Sequence, residues 1–159
     1  MAVKVKWGVL GYARIARNSV IPAICRAGNS EFYALASRDR AKLEECRTRF
    51  NCPKLYDSYE RLLEDPEIQA VYIPLPNSLH KEWSIKAMNR GKHVLCEKPL
   101  ALNEAECREM ITAATANRVL LMEAFMYRYT DRIKKVQAIL ADGAIGAVKY
   151  INSTFRFYL

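Results

Sequence analysis

The chain has 159 residues, 51% of them apolar and 26% charged, with 6 Gly and 6 Pro, which is too apolar for a disordered chain and too varied for a fibre. At this length one globular domain buries roughly 70% of the surface its unfolded form exposes, so a core forms without disulfide or metal staples and a second full domain does not fit. Lys and Arg outnumber Asp and Glu 25 to 17, a net charge of +8, which points to an anionic partner without naming it: nucleic acid, a phosphorylated cofactor and an acidic substrate all fit.

Val3 to Leu10 is a short apolar run with β-branched residues that ends at Gly11, and a helix-compatible stretch follows from Arg14 to Ala27, closing at Gly28. A second strand, Phe32 to Ser37, leads to Asp39 as a helix N-cap and a charged helix from Arg40 to Phe50. Lys54 to Tyr56 reads as a short strand and Ser58 to Glu64 as a short helix ending at Asp65-Pro66. Ala70 to Pro74 is a strand running into the turn Leu75-Pro76-Asn77, and Leu79 to Arg90 is a helix stopped by Gly91. His93 to Cys96 is the next strand. Asn103 caps a helix through Asn117, with Glu106 completing a capping-box pair, and Val119 to Met122 is a further buried strand. A last helix covers Asp131 to Ala141. Short apolar strands alternating with helices give an α/β fold with a doubly wound parallel sheet, the Rossmann arrangement.

From Gly146 to Leu159 the pattern changes to a long aromatic-rich alternation with no helix after it. This reads as the first strand of something else, in a longer protein or at a dimer edge. Residues 1–125 are therefore expected to form the parallel-sheet domain, and 126–159 a linking helix with the first strand of an α+β domain.

No apolar run approaches the roughly 18 residues that cross a bilayer, and Lys4 and Lys6 break the first strand. The five cysteines are odd in number and none forms the close pairs of zinc or redox motifs. A cytoplasmic protein with reduced thiols, no membrane partner and no bound metal is expected. There is no helix-turn-helix, zinc finger or basic run to track a phosphate backbone, so nucleic acid is not expected as a partner.

Four loops at strand ends carry residue types with chemistry. Gly11-Tyr12-Ala13-Arg14-Ile15-Ala16 is a G-x-A-x-x-A variant of the dinucleotide fingerprint, placed between strand and helix. The glycine permits the turn, small residues let the backbone approach a pyrophosphate, and the helix start offers free N–H groups. Ala13 in place of the second glycine weakens the match. After the second strand the chain reads Ser37-Arg38, where NAD-binding folds hold an acid. A hydroxyl beside a guanidinium suits a 2′-phosphate, so NADP is favoured over NAD. Glu97-Lys98-Pro99 lies where ligands meet open α/β sheets: Lys98 is placed to exchange a proton with a carbonyl or alkoxide oxygen, and Glu97 to pair with it or bind a ribose hydroxyl. An ordinary surface turn is the other reading of these three residues. Asn77 and His80, beside Leu75, are placed either to meet the nicotinamide ribose or to begin the next helix. Arg128 stands among aromatics after the last strand of the alternation.

Taken in order, V-x-W-G-V-L-G-Y-A-R-I-A, A-S-R-D, S-Y-E-x-L-L-x-D-P, A-V-Y-I-P-L-P-N-S-L-H, G-K-H-V-L-C-E-K-P and M-E-A-F-M-Y-R-Y resemble the glucose–fructose oxidoreductase/inositol dehydrogenase (Gfo/Idh/MocA) family. Within it the pattern is similar to the dimeric dihydrodiol dehydrogenase and NADP-dependent xylose dehydrogenase branch. The resemblance implies an NAD(P)-dependent oxidoreductase acting on the CH–OH group of a sugar-like or cyclic polyol substrate. It implies Lys98 as the catalytic lysine, with cofactor contacts from Gly11, Tyr12, Ala13, Arg14, Ile15, Ser37, Arg38, Leu75, Asn77, His80, Glu97 and Arg128. It also implies a following domain that completes the substrate pocket and makes a homo-oligomer, so these residues alone are expected to bind cofactor with little turnover. A non-catalytic NAD(P)-binding sensor or regulatory module is the alternative.

Overall fold

The computed structural model describes residues 3–156. The chain divides into two compact units, Met1–Ala124 and Phe125–Leu159. The first holds six parallel strands, β1 (Val5–Leu10), β2 (Ser30–Ala36), β3 (Lys54–Tyr56), β4 (Ala70–Ile73), β5 (His93–Cys96) and β6 (Leu121–Glu123), in the order β3-β2-β1-β4-β5-β6. The order reverses between β1 and β4, and the crevice at that switch point is where such sheets bind ligands.

Helices cover both faces. On one, α1 (Ile21–Arg26) and α2 (Arg40–Phe50) bury Ile21, Ile24 and Cys46 against Val9, Leu35 and Tyr72. On the other, α3 (Tyr59–Glu64), α4 (His80–Met88) and α5 (Glu104–Asn117) bury Leu62, Trp83, Met88 and Met110 against Leu10, Val71 and Ile73. Gly8 lets α3 sit close over β1, since a Cβ there would stand 2.8 Å from Leu62 Cδ2 and 3.2 Å from Ile68 Cγ2. Local signals set the helix starts as expected. The Asp39 carboxylate accepts from the Ala41 and Lys42 amides, Ser58 Oγ from Arg61, and Asn103 Oδ1 from Glu106.

Three elements differ from expectation. The opening helix is continuous over 14–26 but contains a π-helical turn, Ala16–Val20. Pro22 has no N–H and its ring crowds the carbonyl four residues back. The wider turn, in which the Ile21 N–H reaches the Ala16 carbonyl, absorbs that misfit. β6 begins two residues late because Arg118 adopts a left-handed cap and the Val119 N–H returns to Ala114. The strand expected over Gly146 to Leu159 is not formed over residues 146–156, since a strand needs a neighbour to accept its backbone bonds and none pairs with it among the described residues. Its last three residues, 157–159, lie outside the described part. The second unit, taken by itself, carries a 3-10 turn, Met126–Tyr129, and α6 (Asp131–Ala141) capped by Thr130.

The amino ends of the strands hold a closed polar network. Asp65, which caps the end of α3, accepts from Lys54 Nζ at 2.9 Å and Tyr56 Oη at 2.6 Å, and its other oxygen accepts the Glu67 N–H. Burial works against its ionisation, but those hydrogen bonds win and hold the carboxyl at about 2. Lys92 Nζ, buried ahead of β5, donates to the carbonyls of Asp65 and Ile68 at 2.6 and 2.7 Å, while burial pulls its pKa down. Lys6 pairs with Glu67.

Candidate dinucleotide crevice

At the carboxyl ends of the strands the polar groups are arranged differently. β1 ends at Gly11, whose φ of +94° only glycine holds without strain. A Cβ there would stand 3.0 Å from Leu75 Cδ2 and 3.5 Å from the Tyr59 hydroxyl oxygen, so Leu75, on the turn after β4, walls the far side of a narrow cradle. The helix that starts at Arg14 points its first, intrahelically unpaired N–H groups toward this end of the sheet. Arg14 and Ile15 are exposed on its first turn and line a surface pocket with Asn18 and Ser19.

The Tyr12 side chain turns away from the crevice. The ring is buried beside Ala16, Ile21 and Cys46, and burial pushes the phenol up to about 12. Tyr12 therefore offers a ligand only its backbone. Ala13 is half-buried in the turn, which its small side chain keeps open to a ligand.

Ser37 follows β2 and is buried. Its N–H donates to the Tyr56 carbonyl and its Oγ accepts the Asp39 N–H at 3.2 Å, leaving the hydroxyl hydrogen available to an acceptor. Asp39 turns its carboxylate onto the start of α2. Arg38 is exposed and has no carboxylate partner among the described residues. A hydroxyl donor and an uncommitted guanidinium side by side fit a phosphomonoester better than a ribose diol.

The loops after β4 and β5 are tied together by His80. Buried at the head of α4, it sets Nε2 2.8 Å from the Leu75 carbonyl and Nδ1 2.9 Å from the Pro99 carbonyl. Both ring nitrogens are thus occupied by backbone, which corrects the expectation of a direct ribose contact: His80 positions the loops that flank the crevice. The 3-10 turn Asn77–Leu79 has no side-chain cap, nor does α4, so Asn77 is exposed without the capping role that was its alternative.

Glu97 does not pair with the Lys98 ammonium. Its Oε1 accepts from the buried Tyr72 hydroxyl at 2.5 Å and its Oε2 from the Lys98 backbone N–H at 3.3 Å. Burial, then this carboxylate, drive the Tyr72 pKa up, so the phenol stays a donor and fixes Glu97. Lys98 is exposed, with a cis peptide bond to Pro99 and no carboxylate partner among the described residues. Glu123, at the end of β6, accepts the Leu100 N–H at 2.8 Å and supports the same loop. Tyr72 escaped the sequence reading because it sits in a strand that reads as core, and Glu123 because that strand was expected to stop at Met122; the signal available for Tyr72 was a phenol inside a strand, where its hydroxyl requires a partner. Arg128 lies in the other unit, exposed on the turn Met126–Tyr129.

No helix of the described residues is long and apolar enough to cross a membrane, and among them no three His, Cys, Asp or Glu side chains are grouped to hold a metal ion.

A parallel sheet in this strand order, with a glycine turn at its switch point and free helix N–H groups above it, defines a dinucleotide-binding Rossmann domain. Residues 5–125 match the Gfo/Idh/MocA family, described as an oxidoreductase family with an NAD-binding Rossmann fold, and the chain belongs to that family. It is 43% identical over 153 residues to D-xylose 1-dehydrogenase (NADP(+)) 2 of Haloferax volcanii, covering 96% of this chain and 46% of the relative. It is 38% identical over 151 residues to trans-1,2-dihydrobenzene-1,2-diol dehydrogenase of Xenopus laevis, covering 94% and 46%. Among solved structures it superposes on KijD10, a 3-ketoreductase from Actinomadura kijaniata in complex with NADP, with a TM-score of 0.82 at 36% identity, over 90% of this chain and 45% of that one. The chain spans about half the length of the curated relatives it matches.

Proposed function

We propose that the chain is the NADP-binding part of an oxidoreductase that moves hydride between a nicotinamide and the CH–OH or carbonyl carbon of a sugar-like substrate. The observation that carries this reading is the pairing, at one end of the sheet, of the Gly11 cradle with the uncommitted Ser37-Arg38 donors. The relatives' names support it: a xylose dehydrogenase with NADP(+) in its name, a dihydrodiol dehydrogenase and a 3-ketoreductase in complex with NADP.

When bound, the nicotinamide supplies the hydride acceptor or donor at its C4 carbon. The residues of this chain do the rest. N–H groups over Gly11 to Ile15 hold a pyrophosphate, Ser37 and Arg38 hold the adenosine 2′-phosphate, and Asn77 and the Tyr72-fixed Glu97 face ribose hydroxyls. Lys98 exchanges a proton with the substrate oxygen as the carbon changes between alcohol and carbonyl. Residues 1–125 are the cofactor domain in this reading, and 126–159 lead into a substrate and oligomerisation domain. On their own these residues bind cofactor and turn over little. If Lys98 holds this role, Lys98→Met in the intact oxidoreductase lowers kcat by about 10² to 10⁴ and leaves NADPH affinity within about twofold of wild type. Unchanged turnover removes Lys98 from the chemistry, and NADPH binding without any turnover in the intact wild type favours a sensor.

A further inference from the structure

The floor of the crevice carries a side chain that the fingerprint does not include. Tyr59, the first residue of α3, sets its hydroxyl oxygen 3.5 Å from where a Cβ on Gly11 would stand. Its ring is held edge-on against Trp83, with centroids 4.9 Å apart and planes at 85°, so the hydroxyl's direction is fixed by packing. That hydroxyl has no hydrogen-bond partner among the described residues, although the ring is half-buried. The hydroxyl opens onto the crevice with its donor uncommitted to the protein, so it is free to donate to water or to a ligand. Arg38 is the charged group whose field reaches this hydroxyl. The residue thus stands between the turn that cradles the dinucleotide and the guanidinium after β2.

We propose that Tyr59 is a specificity-determining residue, its hydroxyl donating to the phosphate on the adenosine ribose alongside Arg38 and Ser37 and so favouring NADPH over NADH. This rests on the reading of the crevice as an NADP site. Burial raises the Tyr59 pKa, so at neutral pH the group is a protonated donor and adds no charge to repel a phosphate. A hydrogen bond to a charged acceptor is worth more than one to a neutral ribose hydroxyl, which is why the two coenzymes are expected to respond unequally.

The test is a fluorescence titration of the chain and of Tyr59→Phe with NADPH and, separately, NADH. Phenylalanine keeps the ring against Trp83 and removes the donor. The Kd for NADPH is expected to rise about tenfold while that for NADH stays within about twofold. Because the readout is the ratio of the two constants within one variant, a change in overall stability does not mimic it. A ratio unchanged from wild type, through equal weakening or none, overturns the role of Tyr59 while leaving the cofactor site standing. A wild-type chain that binds neither coenzyme rejects the NADP reading and the Tyr59 role with it.

Discussion

The two ends of the parallel sheet treat charge in opposite ways. At the amino end, Lys6, Lys54 and Lys92 each have a partner, Asp65 accepts from three donors, and the network closes on itself. At the carboxyl end, Arg38 and Lys98 are exposed without a carboxylate partner among the described residues, and the Tyr59 hydroxyl, its ring packed against Trp83, opens onto the crevice. Water satisfies these exposed groups at no cost to the fold, so folding does not consume them and they stay available to a ligand, whereas the amino end uses its charges in the fold itself. The contrast agrees with the proposed placement of the cofactor at the carboxyl end, and mutation of each end tests it.

Asp65→Asn attacks the satisfied end. It removes the charge from a buried carboxyl that accepts from the exposed Lys54 ammonium and the Tyr56 hydroxyl, so stability is expected to fall by about 1 to 2 kcal/mol in a urea melt, with NADPH affinity unchanged. A cofactor-binding defect in a folded Asp65→Asn protein would show that the two ends are not independent. His80→Leu is the intermediate case, because His80 stands at the functional end yet is fully engaged. Removing it takes away the ring whose N–H is placed between the Leu75 and Pro99 carbonyls, a cost of about 2 kcal/mol, and loosens both loops of the crevice. Here stability and NADPH affinity are expected to fall together, and loss of stability alone would reduce His80 to a core residue.

Acid tests the amino end more gently. The Asp65 carboxyl is held at about 2 in the folded chain against an ordinary 3.8. A depressed carboxylate stabilises the fold above its unfolded pKa, and that contribution disappears as pH falls through the folded value. A loss of about 2 kcal/mol is therefore expected between about pH 4 and pH 2, and Asp65→Asn should lack this part of the acid transition. An identical acid profile in the variant would place the effect elsewhere.

Most of the fold was legible because period and punctuation agreed. Gly11, Asp39, Ser58, Asn103 and Gly91 mark boundaries the structure keeps. The misses have local causes: Pro22 forces a wide turn into a helix that the apolar pattern reads as regular, and Gly146 onward has the alternation of a strand without a neighbour to pair with. Candidate residues whose proposed role is carried by the backbone or by an exposed charge were picked out by position alone. Those that act through a side-chain direction were not. Tyr12 points into the core and His80 into two carbonyls, while Tyr72 and Tyr59, which the sequence analysis did not single out, point at the crevice. Direction depends on which face of the sheet each element packs against, and residue types do not encode that before the chain is folded.

The proposed preference for NADPH rests on a phosphate on the adenosine ribose meeting the Arg38 guanidinium after β2. Titrating the chain and Arg38→Ala with NADPH and NADH tests it most directly. The account predicts tighter binding of NADPH than NADH by the wild type, and a weakening of NADPH by about ten- to a hundredfold in Arg38→Ala with NADH nearly unchanged. Equal affinity for the two coenzymes in both proteins would contradict it.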